Sequence, residues 1–511
     1  MTTLKTAATR LRSSTGERHA QWTHALCVLF FFSGFPALIY QITWQRALFR
    51  IFGVNIESVT IVVTAFMLGL GIGSLVGGWL SKRGAVSLLP LLAGIEIATG
   101  AFGLVSLAIF ERAGDLALGL SLPLTGAVTL TLVIVPTLLM GATLPVLVGH
   151  LARRSGSIGS SVGLLYYVNT LGAGAACLAC TVLFFPFLGL QGAIYVAVGM
   201  NVAVAAGALA MHWADRRAAC CTIDPPVTSV RMPALALAPV LALAAFGGFV
   251  SLSYEIFFFR TVSYASGSSA TAFAATLSAF LVGLASGSRR AGEHCRHFSR
   301  AEAARRAAGG LLKANLLGLL FLPLLSQLAW LDRGVIGVAM VLVFLIARYW
   351  GALLPYLAEL GIKADEQAGM NTAFLYLANI LGSAAGSILT GFVLMEQMSL
   401  LAVGITLVIA GLLCLIGFVG ALDMPRWQKW LRAGVVSAIA ALALLAIPAF
   451  ANRALENLQW KGAPGRPLVD VVENRSGMSI RTAQSMVTAC MMADSIRISS
   501  TTAMASCAPM R

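Results

Sequence analysis

Three ionisable side chains, Glu96, Glu255 and Lys313, stand well inside apolar stretches of this 511-residue chain. Gln41, Asn169, Asn379, Tyr40 and Tyr254 share that setting. A charge at the centre of a membrane span costs about 2.5–3.5 kcal/mol on insertion scales, so such groups face a cavity or a partner. A carboxylate accompanied by amides and phenols is chemistry suited to an amine or another small polar solute. The same groups can also bond to one another and merely hold a bundle together. The residue types fit both readings.

Their spacing adds information. Gly34 to Ser74 lies over Gly248 to Ser288 without a gap, at a spacing of 214, and 13 of the 41 positions are identical. Tyr40 matches Tyr254, Arg46 matches Arg260, and Gln41 occupies the position of Glu255. At a spacing of 210, Leu165-Tyr166, Asn169 and Leu171-Gly172 recur as Leu375-Tyr376, Asn379 and Leu381-Gly382. Gly141-Ala142 and Leu144-Pro145 recur as Gly351-Ala352 and Leu354-Pro355. Matched Arg, Asn, Tyr and Pro in one order point to a duplicated unit. If the copies face each other, Glu255, Gln41, Tyr40, Tyr254, Asn169, Asn379 and Glu96 converge as a substrate-binding set. Arg46 and Arg260 end their spans, where an arginine snorkels to the interface.

The elements that must position these groups are membrane helices. Hydrophobic residues make up 58% of the chain and charged residues 11%, with a mean hydropathy of +0.86. A soluble domain is about one quarter charged. Spans of about 20 apolar residues are expected at 25–44, 58–80, 86–110, 124–150, 161–184, 189–212, 234–259, 270–287, 308–330, 333–355, 370–393, 398–422 and 430–450. Thirteen divides into six, six and one. Six crossings return the chain to its starting side, so the copies lie parallel, as do the two halves of major facilitator transporters. The expected fold is therefore an all-α polytopic membrane protein of two parallel six-helix repeats plus one extra helix. Its units are a tail (1–24), the first repeat (25–212), a linker (213–232), the second repeat (233–422), the extra helix (423–450) and a short, poorly ordered tail (451–511).

The net charge of +15 is spread over short loops. Lys5, Arg10, Arg12 and Arg18 precede the first span; Lys82-Arg83, Arg153-Arg154, Arg216-Arg217, the run from Arg289 to Arg306, and Lys363 fall in alternate loops. The positive-inside rule places the N-terminus in the cytoplasm. No single basic patch forms, so nucleic acid is not expected as a partner. Gly69, Gly73 and Gly77, with Gly283 and Gly287 in the copy, recur every four residues and are expected at helix contacts. The His294-Cys295-Arg296-His297 run has no usual zinc spacing, and no metal is expected.

Ser33-Gly34-Phe35, Ala37-Leu38-Ile39-Tyr40, Trp44-Gln45-Arg46, Ala65-Phe66-Met67 through Ser74, Tyr254-Glu255-Ile256 and Val472-Glu473-Asn474-Arg475-Ser476-Gly477 resemble bacterial fused major-facilitator-like/spermidine synthase membrane proteins. The family usually has Glu where this chain has Gln41. The resemblance implies a multi-pass protein of the bacterial inner membrane, followed by an aminopropyltransferase domain that uses decarboxylated S-adenosylmethionine as substrate. That domain has no counterpart in the 34 residues after Gly477. Read in the alternative frame from Ala489, with permitted codons, Cys490 to Pro509 spells a peptide resembling what the family carries there. A frameshift between Gly477 and Ala489 is thus expected, with 478–511 frame-shifted, no catalytic residue and no cofactor in this chain.

Three functions stay open. One is the catalytically inactive membrane module of a spermidine synthase-like protein. Another is a transporter or exporter of a small polar or cationic solute such as a polyamine, with Glu255 as the group that binds the proton or amine. The third is a non-transporting membrane scaffold. The bilayer is a partner in all three.

Overall fold

The computed structural model describes residues 2–52, 56–82, 88–117, 122–218, 234–266, 270–331, 334–422, 434, 454–460, 468–474 and 477–482. The helices are α1 (Thr2–Phe52), α2 (Ile56–Lys82), α3 (Leu88–Ala117), α4 (Leu122–Ser155), α5 (Ile158–Ala179) and α6 (Phe185–Ala218). The second set is α7 (Leu237–Ser266), α8 (Ala270–His297), α9 (Arg300–Gln327), α10 (Gly334–Gly361), α11 (Ala368–Gln397) and α12 (Leu400–Ala421), and a short α13 (Ala454–Trp460) follows.

Eleven stretches among the described residues are long and apolar enough to cross a membrane. One of them, Ile158–Arg216, holds 59 residues. As one straight helix it would run about 90 Å, three times the hydrocarbon thickness. It turns at Gly189, whose φ of 66° is the left-handed conformation that glycine adopts without strain. It therefore contains two crossings, α5 and α6, and the described crossings number twelve. The thirteenth expected span, 430–450, lies outside the described residues except for residue 434.

Within each half, backbone approaches backbone through glycine. A Cβ on Gly73 would meet the Leu138 backbone, and one on Gly77 that of Ala142, so α2 lies tightly on α4. Gly287 does the same against Arg348, and Gly283 against Phe344, to seat α8 on α10. Small residues supply van der Waals contact where lipid offers helices no hydrophobic drive to associate. Both α5 and α11 loosen into a π-helical turn, Cys180–Phe184 and Leu389–Leu394, at corresponding places in the repeat.

The halves meet through α5 on α8 and α2 on α11. At one end, Gly163 touches Gly292, and Gly159 touches the Pro355 carbonyl. There Glu359, buried at the end of α10, accepts hydrogen bonds from Ser157 Oγ (2.8 Å) and the Gly159 amide (3.0 Å). A carboxylate at the start of α5 satisfies one free amide, that of Gly159, and complements the helix dipole. The equivalent of Glu359 in the first half is Gly149, which packs on Gly369 near the start of α11, where Ser81 also lies.

The tail departs from expectation. Leu468–Asn474 (β1) and Gly477–Thr482 (β2) form an antiparallel hairpin with Asn474 opposite Gly477 and Val471 opposite Ile480. A strand therefore extends five residues past Gly477, into a stretch that shows no strand period of its own. Ladder hydrogen bonds belong to the backbone, so the β-branched β1 and a two-residue link can recruit a weakly patterned partner.

Candidate functional site

Two cavities of about 170 and 160 Å³ lie side by side between the halves. Ser33, Gln41, Glu96, Asn169 and Asn201 line the first. Ser251, Glu255, Trp350, Asn379 and Ser383 line the second. Tyr166 and Tyr376, a matched pair of the repeat, belong to both walls together with Leu70 and Leu281. Gln41 and Glu255 hold equivalent places, as do Asn169 and Asn379, so the cavities are pseudo-symmetric.

Helix packing fixes the amides. The backbone and side chain of Asn169 close over Gly34, and those of Asn379 close over Gly248, leaving no room for a Cβ at either glycine. Asn379 Nδ2 also donates to the Ala244 carbonyl at 3.1 Å. α1 is thereby keyed to α5, and α7 to α11, at the depth of the cavities.

The two carboxylates differ in their surroundings. Glu96 is 3% exposed and held from both sides. Ser33 Oγ donates to its Oε1, and Asn201 Nδ2 donates to its Oε2 at 2.5 Å. Tyr40 in turn donates to Asn201 Oδ1 at 2.8 Å. Every donor in this chain of three points toward Glu96, an arrangement that satisfies a buried acceptor. Glu255 has no hydrogen bond or ion pair among the described residues, and its side chain faces the second cavity. No described side chain donates to this half-buried carboxylate. A cationic or proton-donating visitor would.

Five of the seven residues expected to bind substrate come together here: Gln41, Glu96, Asn169, Glu255 and Asn379. Tyr40 and Tyr254 do not line either cavity. Both are fully buried in seams between helices, where Gly103 and Gly318 make room for their rings. The phenols at the cavities are Tyr166 and Tyr376, whose signal was their 210-residue spacing. Asn201 was missed because its counterpart, Gly411, carries no amide. Lys313 is exposed, with its Nζ 5.9 Å from the Tyr349 ring centroid. Arg46 covers the Phe185 ring at 4.1 Å, away from the cavities.

No protein-family profile matches the chain, and no curated protein sequence does so. Solved structures do match in fold. A bacterial homologue of the iron transporter ferroportin, in an outward-facing state, is 11% identical over 78% of this chain and 97% of its own, with a TM-score of 0.53. The human organic anion transporter TETRAN is 13% identical over 77% of this chain and 99% of its own, with a TM-score of 0.51. At such identities the likeness concerns architecture alone. Apart from the C-terminal hairpin, the described chain is an all-α multi-pass membrane protein with a major-facilitator-like fold.

Proposed function

We propose that this protein carries a small cationic solute across the membrane through the paired cavities, with Glu255 as the binding carboxylate. One observation carries the reading: a carboxylate without a partner among the described residues faces a cavity walled by two phenols, an amide and two serines. Intramembrane carboxylates set in that way mark solute or proton routes. Glu96, already satisfied by Ser33 and Asn201, shapes the neighbouring cavity. The fold supports transport over a scaffold role or an aminopropyltransferase module. A polyamine, which the sequence resemblance suggests, is one cation to test. The basic loops support an N-terminus on the cytoplasmic side.

The experiment is uptake by proteoliposomes of labelled mono-, di- and polyamines, with binding measured in parallel. Glu255→Gln should weaken cation binding about 30-fold or more, the scale of losing a buried charge partner, while its level in the membrane is unchanged. Binding that survives the substitution intact would assign Glu255 to packing. Purified protein should transfer no aminopropyl group from decarboxylated S-adenosylmethionine to putrescine.

A further inference from the structure

A third cavity, about 620 Å³ in volume, shares no residue with the two described above. It lies where α1, α5 and α8 meet, at the end of the bundle closed by Glu359. Its walls change character along the membrane normal. At the rim are His24, Arg296 and His297, and Arg289 and Glu293 follow on α8. Below them, Val28, Phe31, Phe32, Leu164 and Val168 give an apolar wall. From His24 to Phe32, α1 descends about 12 Å, roughly the distance from a lipid phosphate into the upper acyl chain.

The cations in this groove are not equivalent. Arg289 pairs with Glu293 at 3.0 Å and lies over the Tyr167 ring. Arg296 is exposed and has no ion pair or hydrogen bond among the described residues. Val28 and Phe32 are 43% and 41% exposed at the depth where lipid chains run. A soluble anion would use the arginines and leave this apolar wall empty. A neutral lipid would use the wall and leave Arg296 without a partner.

We propose that the groove binds an anionic phospholipid, with its phosphate at Arg296 and Arg289 and an acyl chain along Phe31, Phe32 and Leu164. Basic pockets between helices on the cytoplasmic side suit such headgroups, and the loop charges assign this end to that side. The groove also joins the halves, since α1 and α5 belong to the first and α8 to the second. A bound lipid therefore fastens one half to the other beside the Glu359 contact.

The test is thermal unfolding of the purified full chain in detergent with phosphatidylglycerol, phosphatidylcholine or inorganic phosphate added at equal concentration. Phosphatidylglycerol should raise Tm by about 3 °C or more, as ligands of the folded state do, and the other two should not. The double substitution Arg289→Ala, Arg296→Ala should erase the shift, whereas Arg216→Ala, at the same end but outside the groove, should keep it. Equal stabilisation by phosphatidylcholine, or a shift that survives the double substitution, overturns the proposal. A shift with phosphate alone replaces the lipid by a soluble anion and overturns it too. Should the double variant fail to fold, native mass spectrometry of the unaltered protein in an equal lipid mixture decides. Preferential retention of phosphatidylglycerol supports the site, and retention without preference sinks it.

Discussion

In the first half α1, α3 and α6 meet around Tyr40, and in the second α7, α9 and α12 meet around Tyr254. The two seams begin alike. Tyr40 stacks on Trp44 with centroids 5.0 Å apart, and Tyr254 stacks on Phe258 at 5.6 Å. Each phenol sits against a glycine of the third helix, Gly103 or Gly318, at a spacing of 215. Beyond that they diverge. Where Asn201 of α6 lies over Gly100 of α3, the second half has Asn315 on α9 and Gly411 on α12, so amide and glycine have changed places. Trp44 donates to Ser106 at 2.9 Å, whereas their counterparts Phe258 and Phe321 are rings 4.6 Å apart. Glu96 is replaced by Leu311.

The exchange has an energetic consequence. In the first seam Tyr40, Trp44 and Asn201 each find an acceptor, while the hydroxyls of Thr43 and Thr99 are buried without one among the described residues. In the second, the Tyr254 hydroxyl and the Asn315 carbonyl oxygen are buried without partners among the described residues. Each such orphan costs about 1–3 kcal/mol. The first half thus ties its carboxylate into the structure, and the second keeps a greasier seam and presents its carboxylate to a cavity. One half satisfies its carboxylate within the protein, and the other leaves its carboxylate without a partner among the described residues.

Substitutions that make one seam resemble the other test this contrast. The largest effect belongs to Glu96→Leu, which copies Leu311 and leaves Ser33 Oγ and Asn201 Nδ2 without their acceptor. We expect a loss of about 3 kcal/mol, visible as a clear fall in Tm in detergent; an unchanged Tm would mean the network contributes nothing. Next comes the junction between the halves. Glu359→Ala leaves the Gly159 amide and the Ser157 hydroxyl without this acceptor, although Ser157 still caps α5 through Ser160, and should cost about 2 kcal/mol, whereas Gly149→Ala in the equivalent place removes no such contact. Accessibility of Cys295, buried beside Gly159, should rise in the Glu359 variant, and thiol labelling measures it. The smallest effects are the most discriminating, because they differ in sign. Tyr40→Phe should cost about 1 kcal/mol, since Asn201 loses its donor. Tyr254→Phe removes a hydroxyl that has no partner among the described residues and should be neutral or slightly stabilising. Equal losses at the two positions would erase the contrast.

Much of this architecture was legible because it depends on residue type at fixed spacing. The repeat, the crossings up to α12 and the glycines at helix contacts are of that kind. The candidate site was legible only in part. A matched aromatic pair such as Tyr40 and Tyr254 records a shared constraint, here the glycine opposite each ring, and says nothing about exposure. The partners of Glu96 come from α1 and α6, 63 and 105 residues away, and no periodicity connects them. Asn201 was hidden for a further reason: a comparison of the halves finds what they share, and its function lies in a difference. The hairpin escaped notice because its second strand is held by backbone hydrogen bonds rather than by a pattern of its own.

The paired π-helical turns in α5 and α11 carry a chronology. Such a turn is an extra residue accommodated within a helix, and it rotates everything beyond it by about 100° relative to a regular helix. Two independent insertions at corresponding places, Cys180–Phe184 and Leu389–Leu394, would be a coincidence; one insertion in a six-helix ancestor, copied when the gene doubled, is not. The tyrosines and helix-contact glycines belong to that same older layer. Glu359 opposite Gly149, Glu255 opposite Gln41, and Asn315 opposite Gly100 record later events. A six-helix ancestor could complete such a bundle only by pairing with a second copy of itself, about a two-fold axis. Doubling released each copy from that symmetry, and the present asymmetry of charge accumulated afterwards on a scaffold already set.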